Sequence, residues 1–207
     1  MLYAYRFRRA LPKRILDTER GGLSWRIQLA GRGRYRFILS RVVNIAPNES
    51  LITIKIPDAT PEIIAKYALS DEQALLAKVR YNRLVDIFLG ITTYSLQNHL
   101  RTSVEDIGQI EIDELYVGID KNGRHYVIPV QAKGGNDKLS PAQAEQDIAY
   151  CEEKYPALTC RAVSAQFMTD DRIALFELAI NEDEIRVVDE KHYKLSPAAE
   201  CMPVARN

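Results

Sequence analysis

Hydrophobic and polar residues alternate with a period of two in the first part of the chain. In Leu23-Ser24-Trp25-Arg26-Ile27-Gln28-Leu29 the positions Trp25, Ile27 and Leu29 fall on one face, because successive side chains of a strand point to opposite sides. Gly31-Arg32-Gly33 marks a turn, after which Tyr35, Phe37 and Leu39 alternate in the same way. The opposite faces carry Arg26, Gln28, Arg34 and Arg36. A third strand is expected over 51–56, so residues 1–57 read as a small β-rich subdomain with a basic outer face.

Beyond residue 57 the pattern changes. Thr60 before Pro61 and Glu62 is a helix start, and Ser70 followed by Glu72 and Gln73 is a second one of capping-box type. Ala74, Leu75, Val79, Leu84, Ile87 and Phe88 then suit a long helix ending near Gly90, with a further short helix expected over 94–100. The period returns to two over 109–119 and 125–133, around the Asn-Gly hairpin signal of Lys121-Asn122-Gly123-Arg124. Ser140-Pro141 opens another helix that stops before Pro156. Strands are expected over 158–167, 172–180 and 184–188, with a loose tail from 196. The order is helix, hairpin, helix, strand and further strands, which predicts an α/β core over 58–195 built on a mixed sheet flanked by helices.

Charge sharpens this division. The 207 residues have a formal net charge of zero, but residues 1–45 hold eleven Lys and Arg against two acids. The remainder holds 17 against 26. A basic segment on an acidic body points to a polyanion such as nucleic acid, or to docking on the chain's own acidic body; nucleic acid is the favoured partner. No apolar run approaches the roughly 20 residues of a spanning helix, and the Arg-rich N-terminus has no signal-peptide pattern. Cys151, Cys160 and Cys201 form no CxxC pair, which argues against a disulfide framework or a zinc site and suits a reducing cytoplasm. No Gly-rich phosphate loop or GxSxG is present, so no nucleotide cofactor is indicated. Cys151 is expected in the core, and His125 and His192 at the surface.

The chemistry concentrates in the hairpin. Glu111 and Asp113 share a face of the first strand, away from Ile110 and Ile112, and Gln131 and Lys133 share a face of the second, away from Val130 and Ala132. The hairpin lays these strands side by side, so two carboxylates, an amide oxygen and an ammonium can converge. Oxygen ligands of this kind suit Mg²⁺ or Mn²⁺, which lowers the pKa of a water and neutralises a phosphodiester in hydrolysis. A lysine beside it can orient or deprotonate that water. Arg80 and Arg83, in the long helix, can reach phosphates, although a solvated helix face accounts for them equally well. His99, Arg101 and Thr102 can line a cleft.

This arrangement resembles the PD-(D/E)xK, restriction-endonuclease-like nucleases over roughly residues 70–180. In that family an Asp begins one hairpin strand and an acidic-x-Lys tripeptide ends the next; Asp113 and Lys133 match, while Gln131 stands where the family usually has Glu or Asp. The departure implies weaker metal binding or a further carboxylate, with Glu111 or Glu72 of the preceding helix as candidates. Gln146 and Tyr150, four apart on one helix face with Gln143, look like the Gln-x-x-x-Tyr helix of the RecB-type branch, where the pair braces the active site and approaches the DNA backbone. The resemblance implies a metal-dependent DNA endonuclease of the type II restriction enzyme kind. It also implies catalytic Asp113, Gln131, Lys133, Gln146 and Tyr150 and, as in many such enzymes, a homodimer. The rivals are a repair or recombination nuclease acting on ends or branches, and a nuclease-fold protein that binds DNA without cutting.

Overall fold

The computed structural model describes residues 11–21, 23–29, 34–41, 45–67, 72–104, 107–134, 139–181 and 184–201. After a one-turn helix α1 (Lys13–Leu16) come β1 (Leu23–Leu29) and β2 (Tyr35–Arg41), which among the described residues pair only with each other. Their register sets Trp25 opposite Leu39, Ile27 opposite Phe37 and Leu29 opposite Tyr35, the face that the alternation predicts. Ile27 is buried on it, while Phe37 is 42% exposed. The Gly31-Arg32-Gly33 turn lies outside the described residues.

The main sheet is mixed and has eight strands among the described residues. They are β3 (Thr53–Pro57), β4 (Thr92–Val104), β5 (Gly108–Ile119), β6 (His125–Lys133), the short β7 (Thr159–Cys160), β8 (Ala162–Phe167), β9 (Arg172–Asn181) and β10 (Glu184–Ser196). The order across the sheet is β3-β10-β9-β8-β6-β5-β4, with β7 beside β6. β3 runs parallel to β10, and β6 runs parallel to both β7 and β8; the other pairs are antiparallel. Helices are α2 (Glu62–Tyr67), α3 (Glu72–Tyr81), α4 (Leu84–Leu89) and α5 (Pro141–Lys154). A parallel pair needs a crossover, and α5 lies in the connection from β6 to β8.

The helices cover both faces of the sheet. Leu75, Leu76 and Val79 of α3, with Leu84 and Val85 of α4, pack in one cluster with Tyr116, Tyr126, Ile128 and Val130. Tyr150 and Cys151 of α5 pack in another with Leu115 and Val127, which alternate with the first set. α3 and α4 therefore lie on one side and α5 on the other. Double coverage explains why β6 is buried without a break from Tyr126 to Ala132 and reads as an apolar run.

Several expectations change. The strand expected to close the N-terminal sheet, Thr53–Pro57, instead adds to the main sheet. The long helix is broken at Asn82-Arg83, where Arg83 adopts a left-handed φ of 50°. Asn82 is buried and holds the break: its amide oxygen accepts from Ala59 N at 2.7 Å, and its nitrogen donates to Thr60 Oγ1 and Lys78 O, each at 2.9 Å. The expected Ser70 cap lies outside the described residues, and α3 begins at Glu72. The helix expected over 94–100 is part of β4. Asp86 accepts from both Thr93 N and Thr93 Oγ1 at 2.8 Å, turning the chain out of α4 and into the strand. Tyr94 and Leu96, within the stretch expected to be helical, are 61% and 50% exposed there. β10 runs on past 188 to Ser196, and Ala198–Glu200 forms a 3-10 turn where a loose tail was expected. His192, expected at the surface, is fully buried on β10, with Nε2 2.7 Å from Glu190 Oε1. Among the described residues no helix is long and apolar enough to cross a membrane.

Candidate metal centre at the β5–β6 fork

The β5–β6 hairpin is set by its turn. Asp120 Oδ1 accepts from Asn122 N at 2.8 Å and Arg124 N at 2.9 Å, Tyr126 donates to Oδ2 at 3.0 Å, and Gly123 supplies a φ of 79°. Pairing then runs from Ile119 opposite His125 to Glu114 opposite Val130 and stops. Beyond that point β6 continues against β8 through Lys133, while β5 pairs only with β4. The two strands fork there, and Asp113 and Gln131 are the first residues past the last ladder pair.

A fork strips backbone groups of their ladder partners, and such groups must find others when they are buried. Side chains supply them here. Asp113 Oδ2 accepts from Ala132 N at 2.8 Å, and Gln131 Nε2 donates to Glu111 O at 2.9 Å. Asp113 and Gln131 thus lie on the same side of the sheet, where Lys133 follows by strand alternation. This is the side covered by α5. From α5, Asp147 brings Oδ2 within 2.9 Å of Gln131 Nε2.

Burial raises the Asp113 carboxyl above its usual pKa, opposed by the Ala132 N–H and by Lys133, with Glu111 adding to the rise and His99 opposing it. Asp147 is only 2% exposed. Its burial pushes its carboxyl well up, with the Gln131 hydrogen bond and Lys133 working against this and Asp113 adding to it. Lys133 faces both carboxylates electrostatically, yet it makes no ion pair among the described residues. Gln131 Oε1 is buried and has no hydrogen-bond partner among them. His99, in a left-handed conformation with φ 48°, stands across β4 from Asp113, between the pairs Asn98–Glu114 and Leu100–Ile112.

The remaining expected residues scatter. Glu111 is exposed and pairs with Arg101 at 3.1 Å beside a groove of about 480 Å³ that Thr102 also lines. Glu72 begins α3, on the opposite side of the sheet from Asp113. Gln146 and Tyr150 are both buried, and Tyr150 is packed edge-on to Tyr155 with ring centroids 6.2 Å apart. Arg26 is bound to Glu145 of α5 at 2.8 Å, so one basic residue of the hairpin docks on the acidic body. Arg34 and Arg36 are exposed.

Arg80 and Arg83 lie on the α3–α4 side, lining a cavity of about 320 Å³. Arg80 Nε donates to the fully buried Glu114 at 2.7 Å, as does Ser95 Oγ, and Arg83 pairs with Asp86 at 2.6 Å. Adjacent carboxylates on β5 therefore serve opposite faces: Glu114 fastens α3, and Asp113 faces the α5 side.

The residue that sequence reasoning passed over is Asp147. It lies between the two members of the Gln-x-x-x-Tyr pair, and within the apolar stripe Ala144, Ile148 and Cys151, all buried. An acid inside a buried helical stripe is itself a signal, since an isolated buried charge is costly.

As for metal, no three His, Cys, Asp or Glu side chains among the described residues converge as a ready cage. The donor set is instead mixed. The Asp113 carboxylate and the unpartnered Gln131 amide oxygen suit a hard divalent cation, which takes oxygen ligands and keeps several waters. Comparison with protein-family models finds no match to this chain, and comparisons with curated proteins and with solved structures find none either.

Proposed function

We propose that the chain is a metal-dependent DNA endonuclease that hydrolyses phosphodiester bonds at the β5–β6 fork, of restriction-endonuclease-like type. The observation that carries this reading is the buried oxygen of Gln131, which like the ammonium of Lys133 on the same strand face has no hydrogen-bond or ion-pair partner among the described residues, at the fork that also holds Asp113. A buried acceptor without a partner costs on the order of 1–3 kcal/mol, a cost that a cation at that oxygen would offset.

Asp113 and Gln131 would hold Mg²⁺ or Mn²⁺. When bound, such an ion lowers the pKa of a coordinated water and neutralises charge on the phosphate. Lys133 has two tasks on the same face: it holds the attacking water by hydrogen bonding, and it stabilises the charge that grows on the phosphate oxygens. Ala132 N–H fixes the Asp113 carboxylate. Tyr150 supports the sheet by packing in the α5-side core rather than by touching substrate. The exposed Arg34 and Arg36 of the β1–β2 hairpin supply the polyanion contacts.

The test is incubation with circular and linear DNA in Mg²⁺ or Mn²⁺. The proposal expects discrete cleavage products that disappear with a chelator. Progressive digestion from ends would favour a repair-type exonuclease, and tight DNA binding without cleavage would favour the non-cutting binder.

A further inference from the structure

Gln131 raises a problem that a carboxylate at the same position would not. A carboxylate accepts through either oxygen, whereas a primary amide has one accepting end and one donating end of nearly equal shape. Packing alone does not choose between them. If the nitrogen faced Asp113 and the cation, two N–H dipoles would point at a positive ion.

The hydrogen bonds around Gln131 make the choice. Nε2 has two hydrogens and two acceptors: Glu111 O at 2.9 Å and Asp147 Oδ2 at 2.9 Å. Inverting the amide would set its oxygen against the Glu111 carbonyl oxygen and forfeit the hydrogen bond to Asp147 Oδ2. The oxygen is therefore left on the other side, buried and without a partner among the described residues. Glu111 O belongs to the backbone of the fork and would be there whatever the side chains. Asp147 is the one side chain in this set, and it arrives from a different element, at the centre of the buried face of α5.

We infer that Asp147 is a positioning residue for the metal centre: it locks the Gln131 amide with its oxygen toward the cation held at Asp113. This rests on the metal-binding reading above. It gives Gln131 a way to act as a ligand where an acidic residue would need no orientation, and it makes α5 part of the site through its buried face rather than through Gln146 or Tyr150.

The test is Mn²⁺ binding by the full chain in the absence of DNA, measured by calorimetry and by the spin signal of free Mn²⁺. In Asp147→Asn the new side chain can present its nitrogen as readily as its oxygen to Gln131, so the lock loses its fixed polarity with little change in volume. Loss of an orienting partner of this kind weakens metal binding roughly 10–100-fold, and that loss is the expected result. Adding Gln131→Glu to Asp147→Asn replaces the directional ligand with one that needs no orientation, so Mn²⁺ affinity should recover. Should Asp147→Asn fail to fold, the wild-type chain gives the answer by NMR. Mg²⁺ should shift the Gln131 side-chain carbonyl carbon while its amide protons stay protected from exchange. Unchanged Mn²⁺ affinity in folded Asp147→Asn, or freely exchanging Gln131 amide protons, overturns the positioning role. A wild-type chain that binds neither Mn²⁺ nor Mg²⁺ overturns the metal-binding reading itself, which keeps the two failures distinct.

Discussion

Gln131 Nε2 donates to Asp147 Oδ2 at 2.9 Å, tying the end of β6 to the buried face of α5. Removing the donor leaves Asp147, only 2% exposed, without this bond. Gln131→Leu in metal-free protein should therefore lower the unfolding free energy by about 2 kcal/mol, the cost of stranding a buried polar group. Urea unfolding of both proteins measures it. An unchanged midpoint would show that the pair contributes nothing to stability.

The hairpin turn sets the alignment of Asp113 with Gln131, and it carries a pH signature. The Arg124 and Asn122 N–H groups and the Tyr126 hydroxyl bond to Asp120 and hold its carboxyl below its usual value of 3.8. A carboxyl lowered in the folded state binds its proton less readily there than in the unfolded chain. Its contribution to stability is thus fully present above the unfolded pKa and is lost as pH falls through the lower folded one. Asp120→Ala should be less stable than wild type at pH 7, and the gap should close as pH drops below about 4. Melting curves across that range would show it; a gap that widens in acid would contradict the sign.

Much of the fold was legible in the sequence, and the misreadings have identifiable causes. The β1–β2 face pairing follows from alternation alone, and α5 follows from Ser140-Pro141 and Pro156. The mixed sheet follows from strands on either side of a helix. The helix expected over 94–100 failed because Tyr94 and Leu96 are apolar yet exposed on β4, and because Asp86 turns the chain through Thr93, a contact local spacing does not display. Thr53–Pro57 was assigned to the wrong sheet because its partner, β10, lies at the other end of the chain. At the site, strand alternation gives the common face of Asp113, Gln131 and Lys133. The fork does not follow from it, since a ladder's end depends on which neighbour each strand takes. Asp147 was hidden because its partner Gln131 is 16 residues away on another element.

The basic hairpin divides into two groups of arginines. Arg26 is held by Glu145 at 2.8 Å, with both side chains largely covered. Arg26→Gln should cost stability by no more than about 1 kcal/mol, as partly exposed ion pairs do, and leave the salt dependence of DNA binding little changed. Replacing Arg34 and Arg36 together removes two exposed charges. It should flatten the plot of log affinity against log salt by a slope of roughly one per lost phosphate contact. The reverse assignment, with Arg26 controlling the slope, would place the DNA at the Arg26–Glu145 contact rather than at the exposed arginines.

Lys133 tests the central claim most directly. It ends β6 two residues beyond Gln131 and faces Asp113 and Asp147 without an ion pair among the described residues. Lys133→Met keeps the aliphatic stem and removes the ammonium. Single-turnover cleavage of DNA in Mg²⁺ and thermal unfolding should be measured on one preparation. The account predicts an unchanged melting temperature and unchanged DNA affinity, with a cleavage rate at least about 100-fold lower. A stable Lys133→Met protein that cleaves at the wild-type rate would contradict it.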